Sequence, residues 1–230
     1  MNRDNNKIYI SNSPFINGHK IIDFIWNAHL DENLNLWMDL HLESDKYDEE
    51  EEYKDDLEEI DDISEENAEK QLWINYDHCV ISSTYWKNKG IKIPETEVSD
   101  FIKLNNKTFI IDPLPIEIEN NQNLSFGVSM LGKDTIAQNE ITFLDTNEFG
   151  IFDIKWKGKI ANTYLGESDF DYDFYVYMKN IKFEGINVHP KLTKEEVINF
   201  IKSNNLNDFE LIKTDDSTLE NYILKLKKIL

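Results

Sequence analysis

With 230 residues, a net charge of −21, and 40% hydrophobic and 12% aromatic side chains, the chain is long and apolar enough to bury a core. Its charge, and a single arginine at Arg3, argue against gripping phosphate, so duplex nucleic acid and anionic membrane surfaces are excluded as partners. One cysteine, Cys79, rules out an internal disulfide, and the polar opening "MNRDNNKIYISNS" lacks the apolar core of a signal peptide.

No run approaches the roughly 20 apolar residues of a membrane helix, so a cytoplasmic protein is expected. Twenty-nine Ile and 26 Asn against four Ala follow AT-rich codons and point to a bacterial host.

Residues 20–43 predict a β-hairpin. Ile22, Phe24, Trp26, Ala28 and Leu30 alternate with Asp23, Asn27 and His29, and beyond "DEN" Leu34, Leu36, Met38, Leu40 and Leu42 alternate again. A three-residue turn centred on Glu32 places both apolar sets on one face. The other face then carries His29 across from Asn35, and Asp23 across from His41.

Residues 45–70, "DKYDEEEEYKDDLEEIDDISEENAEK", hold fifteen carboxylates and three lysines, and so twelve of the 21 net negative charges. Tyr53, Leu57 and Ile60 recur at i, i+4 and i+7 beside Ile63. That narrow stripe predicts an amphipathic helix or helix-leaning loop docked on the sheet, opposed by like-charge repulsion.

Residues 72–86 read as a long strand, with Leu72, Ile74, Tyr76, Val80 and Trp86 on one parity. The proline-bearing stretch that follows allows short edge strands at 108–112 and 115–119. From residue 124 strand patterns become dense: "LSFGVSML", "TIAQNEITFLD", then residues 152–165 and 169–183 as a hairpin around "GES", its turn centred on Glu167. In that register Lys157 faces Tyr177 and Lys159 lies diagonal to Asp173. Phe152, Ile154, Trp156, Ile160 and Tyr164 form one apolar face, and Phe170, Tyr172, Phe174, Val176 and Met178 its partner.

The period changes near the end. "TKEEVINFIKSNN" opens with a capping box, Thr193 to Glu196, and predicts a helix. A strand at 209–213 follows, and "STLENYILKLKKIL" repeats the box with Ser217 and Glu220, predicting a second helix. The fold class expected is α+β: a predominantly antiparallel sheet built from hairpins, with peripheral helices including two at the C-terminus. One domain over 1–230 is expected, divisible into β-units at 1–119, with the acidic insertion 45–70, and 120–230.

Catalytic and metal signatures are missing. Asp169, Asp171 and Asp173 resemble the start of a calcium loop, but Phe174 stands where glycine is required, and on a strand the outer carboxylates sit about 13 Å apart. Lys155, Lys157 and Lys159 read as cross-strand pairs to acids and tyrosines, with a phosphate strip as the alternative. The five histidines form no HExxH or paired set, and Cys79 reads as a small buried apolar residue. No GxSxG, Walker or GxGxxG motif occurs. No cofactor, no metal and no catalytic residue are assigned.

The acid cluster at 48–66, the Trp- and Tyr-rich antiparallel strands and the lack of catalytic motifs resemble, in character rather than through an alignable motif, the immunity proteins of bacterial polymorphic-toxin and contact-dependent inhibition systems. The resemblance implies a non-enzymatic inhibitor that binds a basic toxin, for example a nuclease, and blocks it. Charge density picks the contact residues: Asp48, Glu49, Glu50, Glu51, Glu52, Asp55, Asp56, Glu58, Glu59, Asp61 and Asp62. The alternatives are a small-ligand-binding or metal-dependent enzyme with a pocket in the sheet, and an acidic structural or regulatory protein without a toxin partner.

Overall fold

The structure is a computed structural model that describes residues 5–13, 17–46, 73, 76–86, 88–116, 123–214 and 221–227. Its chain order is β1 Lys7–Ile10, β2 His19–Leu30, β3 Leu36–Ser44, β4 Val80–Ser82, β5 Ile91–Lys92, β6 Thr108–Ile111, β7 Gly127–Ser129, β8 Lys133–Asp145, β9 Ile151–Ala161, β10 Tyr172–Val188, helix α1 Lys194–Ser203, β11 Phe209–Thr214 and β12 Asn221–Leu226.

Eight strands close into a barrel in the order β1-β2-β3-β4-β7-β8-β9-β10, with β10 returning to β1. Neighbours are antiparallel except where β10 meets β2. Past the end of β1, residues 183–188 of β10 pair directly and in parallel with residues 26–30 of β2. Strands β5 and β6 lie outside the ring on β3 and β8, and the β11–β12 hairpin extends from β10 through β12. The predominantly antiparallel β reading holds, and the barrel is what the sequence left out.

Closing a sheet requires bends, and register breaks supply them. They fall at 21/23 in β2, 137/140 in β8, 178/181 in β10 against β9, and 183/186 in β10 against β2. Three of them coincide with positive φ at Gln138, Asn180 and Gly185. Gly158 serves close packing instead: a Cβ there would lie 2.6 Å from the Phe174 ring.

The alternating apolar sets point into the barrel and form its buried core. Trp26 on β2 reaches across to Phe143, Phe152 and Phe183 at 5.1, 5.6 and 5.0 Å between ring centroids. Trp156 packs against Phe126 and Phe174, and its indole N–H donates to the buried Asn139 Oδ1 at 3.0 Å. Outward positions carry Lys155, Lys157 and Lys159. The alternation is the reverse of a barrel that faces lipid. No helix among the described residues is long and apolar enough to cross a membrane.

Both predicted hairpins form, each with its register moved by two residues. In β2–β3, Leu30 pairs with Leu36, so the turn is centred on Asn33 rather than Glu32; His29 opposes Trp37 and Asp23 opposes Glu43. The cause is the Asp31 carboxylate, which accepts hydrogen bonds from the Asn33 and Asn35 amides and so winds a longer turn, with Leu34 at φ 62°. Extra length by two preserves parity, so the apolar faces survive the shift. The bulge at 21/23 turns Ile21 inward and leaves Ile22, expected inside, 52% exposed.

In β9–β10 the pairing is Tyr172 with Ile160, centred on Gly166, where a 3-10 turn at Thr163–Leu165 ends in a left-handed cap. Tyr164, expected on the apolar face, is exposed. Lys155 therefore faces Tyr177, Lys157 faces Tyr175, and Lys159 directly faces Asp173.

Three other expectations are corrected. Among the described residues of 72–86 the strand is short, Val80–Ser82, and the chain bends away after Ser82. Of the strand expected at 115–119, Pro115 and Ile116 are not in a strand, and 117–119 lie outside the described residues. The second C-terminal helix is replaced by strand β12: Tyr222, Leu224 and Leu226 also have period two, and pairing with β10 and β11 outweighs helical propensity. Ser217 and Glu220 lie outside the described residues. Helix α1 forms as expected, with both halves of the Thr193–Glu196 capping box made.

Candidate functional site

The acid residues singled out by charge, Asp48, Glu49, Glu50, Glu51, Glu52, Asp55, Asp56, Glu58, Glu59, Asp61 and Asp62, lie outside the described residues, as does the predicted helix that would carry them. What the structure places is the root of that segment. Strands β3 and β4 are paired neighbours, Glu43 with Val80, so residues 45–79 form the connection of one hairpin.

Both ends of the connection are tied to the barrel. Asp45 N–H donates to the Lys20 carbonyl at 2.8 Å. At the returning end Trp73 and Tyr76 are buried, Trp73 against Tyr172 and Tyr76 against the His19 ring at 5.0 Å. Burial drives the His19 pKa down to about 4, with Lys7 pushing the same way against the pull of Asp45. Cys79 is buried as expected, and burial pushes its thiol up to about 12.

Beside this root lies an acidic and aromatic face. Because β2 and β3 point their odd residues outward, Asp23, His41 and Glu43 share one patch of outer surface, with Ile22 added by the bulge. The chain leaving β4 folds back over it, and the Tyr85 ring covers the His41 imidazole at 4.3 Å between centroids. His41 Nε2 lies 3.8 Å from Asp23 Oδ2 and 4.0 Å from Glu43 Oε2. Among the described residues neither ring nitrogen of His41 has a hydrogen-bond partner, although the side chain is only 4% exposed. Burial lowers its pKa, outweighing the two carboxylates that would raise it. Tyr85 itself is 59% exposed.

Farther along the same outer face, Asp39 joins His29 and Ser83. His29 Nδ1 lies 2.6 Å from Asp39 Oδ2, and the Ser83 hydroxyl donates to Asp39 Oδ1 at 2.8 Å. The residue types suggest a nucleophile relay, but the carboxylate stands in the middle, so the serine proton has no imidazole to receive it. Ser83 is buried and also accepts the Leu40 amide. Gly90 at φ 75° lets the covering loop press on this group: a Cβ would lie 2.6 Å from Asp39 Oδ1.

Next to it is a cleft of about 310 Å³ lined by Trp37, Lys89, Gly90, Lys92, Asn123, Leu124 and Ser125. The ammoniums of Lys89 and Lys92 lie 6.0 and 5.6 Å from the Trp37 ring centroid, and the indole N–H is held by Asp31 at 3.1 Å. The cleft is outside the barrel, on β3.

The other residues noted in the sequence are accounted for by neighbours. Lys159 pairs with Asp173 at 2.7 Å, Lys157 with Glu140 at 3.0 Å, and Lys155 lies over Tyr177 at 5.4 Å. Asp169 and Asp171 are exposed. Alternation put Asp23 and His41 on one face, but not as the directly opposed pair expected: Asp23 opposes Glu43 and His41 lies diagonal to it. Glu43, the Tyr85 cover and the Asp39 group were not readable, since they depend on the longer turn and on the path of 83–90. No family model, curated protein or solved structure matches the chain.

Proposed function

We propose that this chain is a non-catalytic acidic binding module, an immunity or inhibitor protein that neutralises a basic toxin, such as a nuclease, by tight binding in the cytoplasm. One observation carries the reading: the segment with twelve net negative charges is rooted beside Asp23 and Glu43, at an outer face with exposed Tyr85.

The physics fits such a role. A toxin that holds phosphate is basic, and concentrated negative potential raises its encounter rate towards values on the order of 10⁸ M⁻¹s⁻¹ at low salt. Exposed aromatic and aliphatic groups, here Tyr85 and Ile22, then slow dissociation. Co-production with a basic toxin encoded beside its gene should restore growth and yield an isolable complex. Persistent toxicity with no complex would refute the proposal.

A further inference from the structure

We infer that Asp23, His41, Glu43 and Tyr85 form a recess that accepts one guanidinium group, an arginine side chain of the cationic partner. The inference rests on the binding reading above and names its anchor.

Two carboxylates alone would be a solvated acidic pair. What distinguishes this pair is the imidazole behind it: His41 is buried, its nitrogens have no hydrogen-bond partner among the described residues, and Nε2 lies within reach of both carboxylates, 3.8 Å from Asp23 Oδ2 and 4.0 Å from Glu43 Oε2. A buried polar ring without a partner is costly unless something completes it. A planar guanidinium supplies up to five N–H donors in a fork, enough to satisfy both carboxylates and a neutral imidazole nitrogen together. The Tyr85 ring, tilted 33° to the imidazole, offers an aromatic surface at the rim.

The groups facing His41 are Asp23 from β2, Glu43 from β3, and the Tyr85 phenol and Ser82, its cross-strand partner on β4. Protonating His41 puts a positive charge between the carboxylates and competes with the arginine. Binding therefore weakens on acidification, and bound guanidinium lowers the His41 midpoint further, because the coupling is reciprocal.

The test is an NMR titration of the full chain with acetyl-Gly-Arg-Gly-amide, whose single charge limits attraction to residues 45–70. At pH 7.5 saturable shifts should appear at the His41 imidazole and Tyr85 ring and vanish in D23N/E43Q. Affinity should drop about tenfold once His41 is protonated, within the usual range for coupled neighbouring sites. Y85A, which removes an exposed side chain, should raise the His41 midpoint by relieving burial. Peptide shifts confined to other residues, or none, would overturn the recess. The broader binding reading would survive that result if the chain still formed a salt-sensitive complex with a basic toxin, and would fall with it if no complex formed.

Discussion

Ser44 and Cys79, 35 positions apart, are clamped by two hydrogen bonds: the Ser44 amide donates to the Cys79 carbonyl, and the Ser44 hydroxyl accepts the Cys79 amide, both at 2.9 Å. This clamp closes the base of the acidic connection. Replacing Ser44 by Ala leaves a buried N–H without its acceptor, so S44A should lose about 1–3 kcal/mol in urea unfolding. Wild-type stability in S44A would show that the ends are held by Trp73 and Tyr76 instead.

The Asp31 carboxylate gathers the Asn33 and Asn35 amides, the Asn35 side chain and the Trp37 indole. Burial alone would raise its pKa, but those donors outweigh it and hold the group at about 2. A depressed carboxylate stabilises the fold fully above its unfolded pKa near 3.8 and loses that contribution as pH falls towards 2. D31N should be less stable at pH 7 and show a flatter decline across that acid window. An unchanged decline would remove Asp31 as its source.

His19 acts in a higher window. Burial depresses its pKa from 6.5 to about 4, so the unfolded chain binds a proton that the folded chain refuses. Stability is highest above pH 6.5 and falls as pH drops from 6.5 towards 4. H19Q should remove part of that slope, and the His19 NMR titration should have its midpoint near 4. A midpoint near 6.5 would contradict the burial of this ring against Tyr76.

Core and face should respond differently. W26A removes the ring that bridges β2 to β8, β9 and β10 and should cost about 3–5 kcal/mol. Y85A, at the exposed rim, should stay within about 0.5 kcal/mol of wild type. Comparable losses would mean that Tyr85 is structural rather than available to a partner.

Alternation made the β2–β3 and β9–β10 hairpins readable because side-chain parity survives a shift of two residues. Register did not, because it depends on side-chain capping by Asp31 and on the left-handed Gly166. Residues 221–226 satisfy both helical and strand periods, and only contacts with β10 and β11 decide between them. Barrel closure was not legible: it joins β10 to β1 and, past the end of β1, to β2 across more than 150 residues, the second through a parallel contact that no local pattern announces. Of the candidate site, the charge was visible, and so was the Asp23–His41 proximity. The cover by Tyr85 was not, since residues 83–86 follow a bend where alternation predicted strand.

The central claim is that the carboxylates of residues 45–70 draw in a cationic protein, and stopped-flow association with a basic toxin encoded beside the gene tests it most directly. At low salt the wild-type rate should be high and fall steeply with ionic strength. The E49Q/E50Q/E51Q/E52Q variant should associate several-fold more slowly with a shallower salt dependence, its dissociation rate nearly unchanged. Identical association rates and salt slopes for the two proteins would contradict the account.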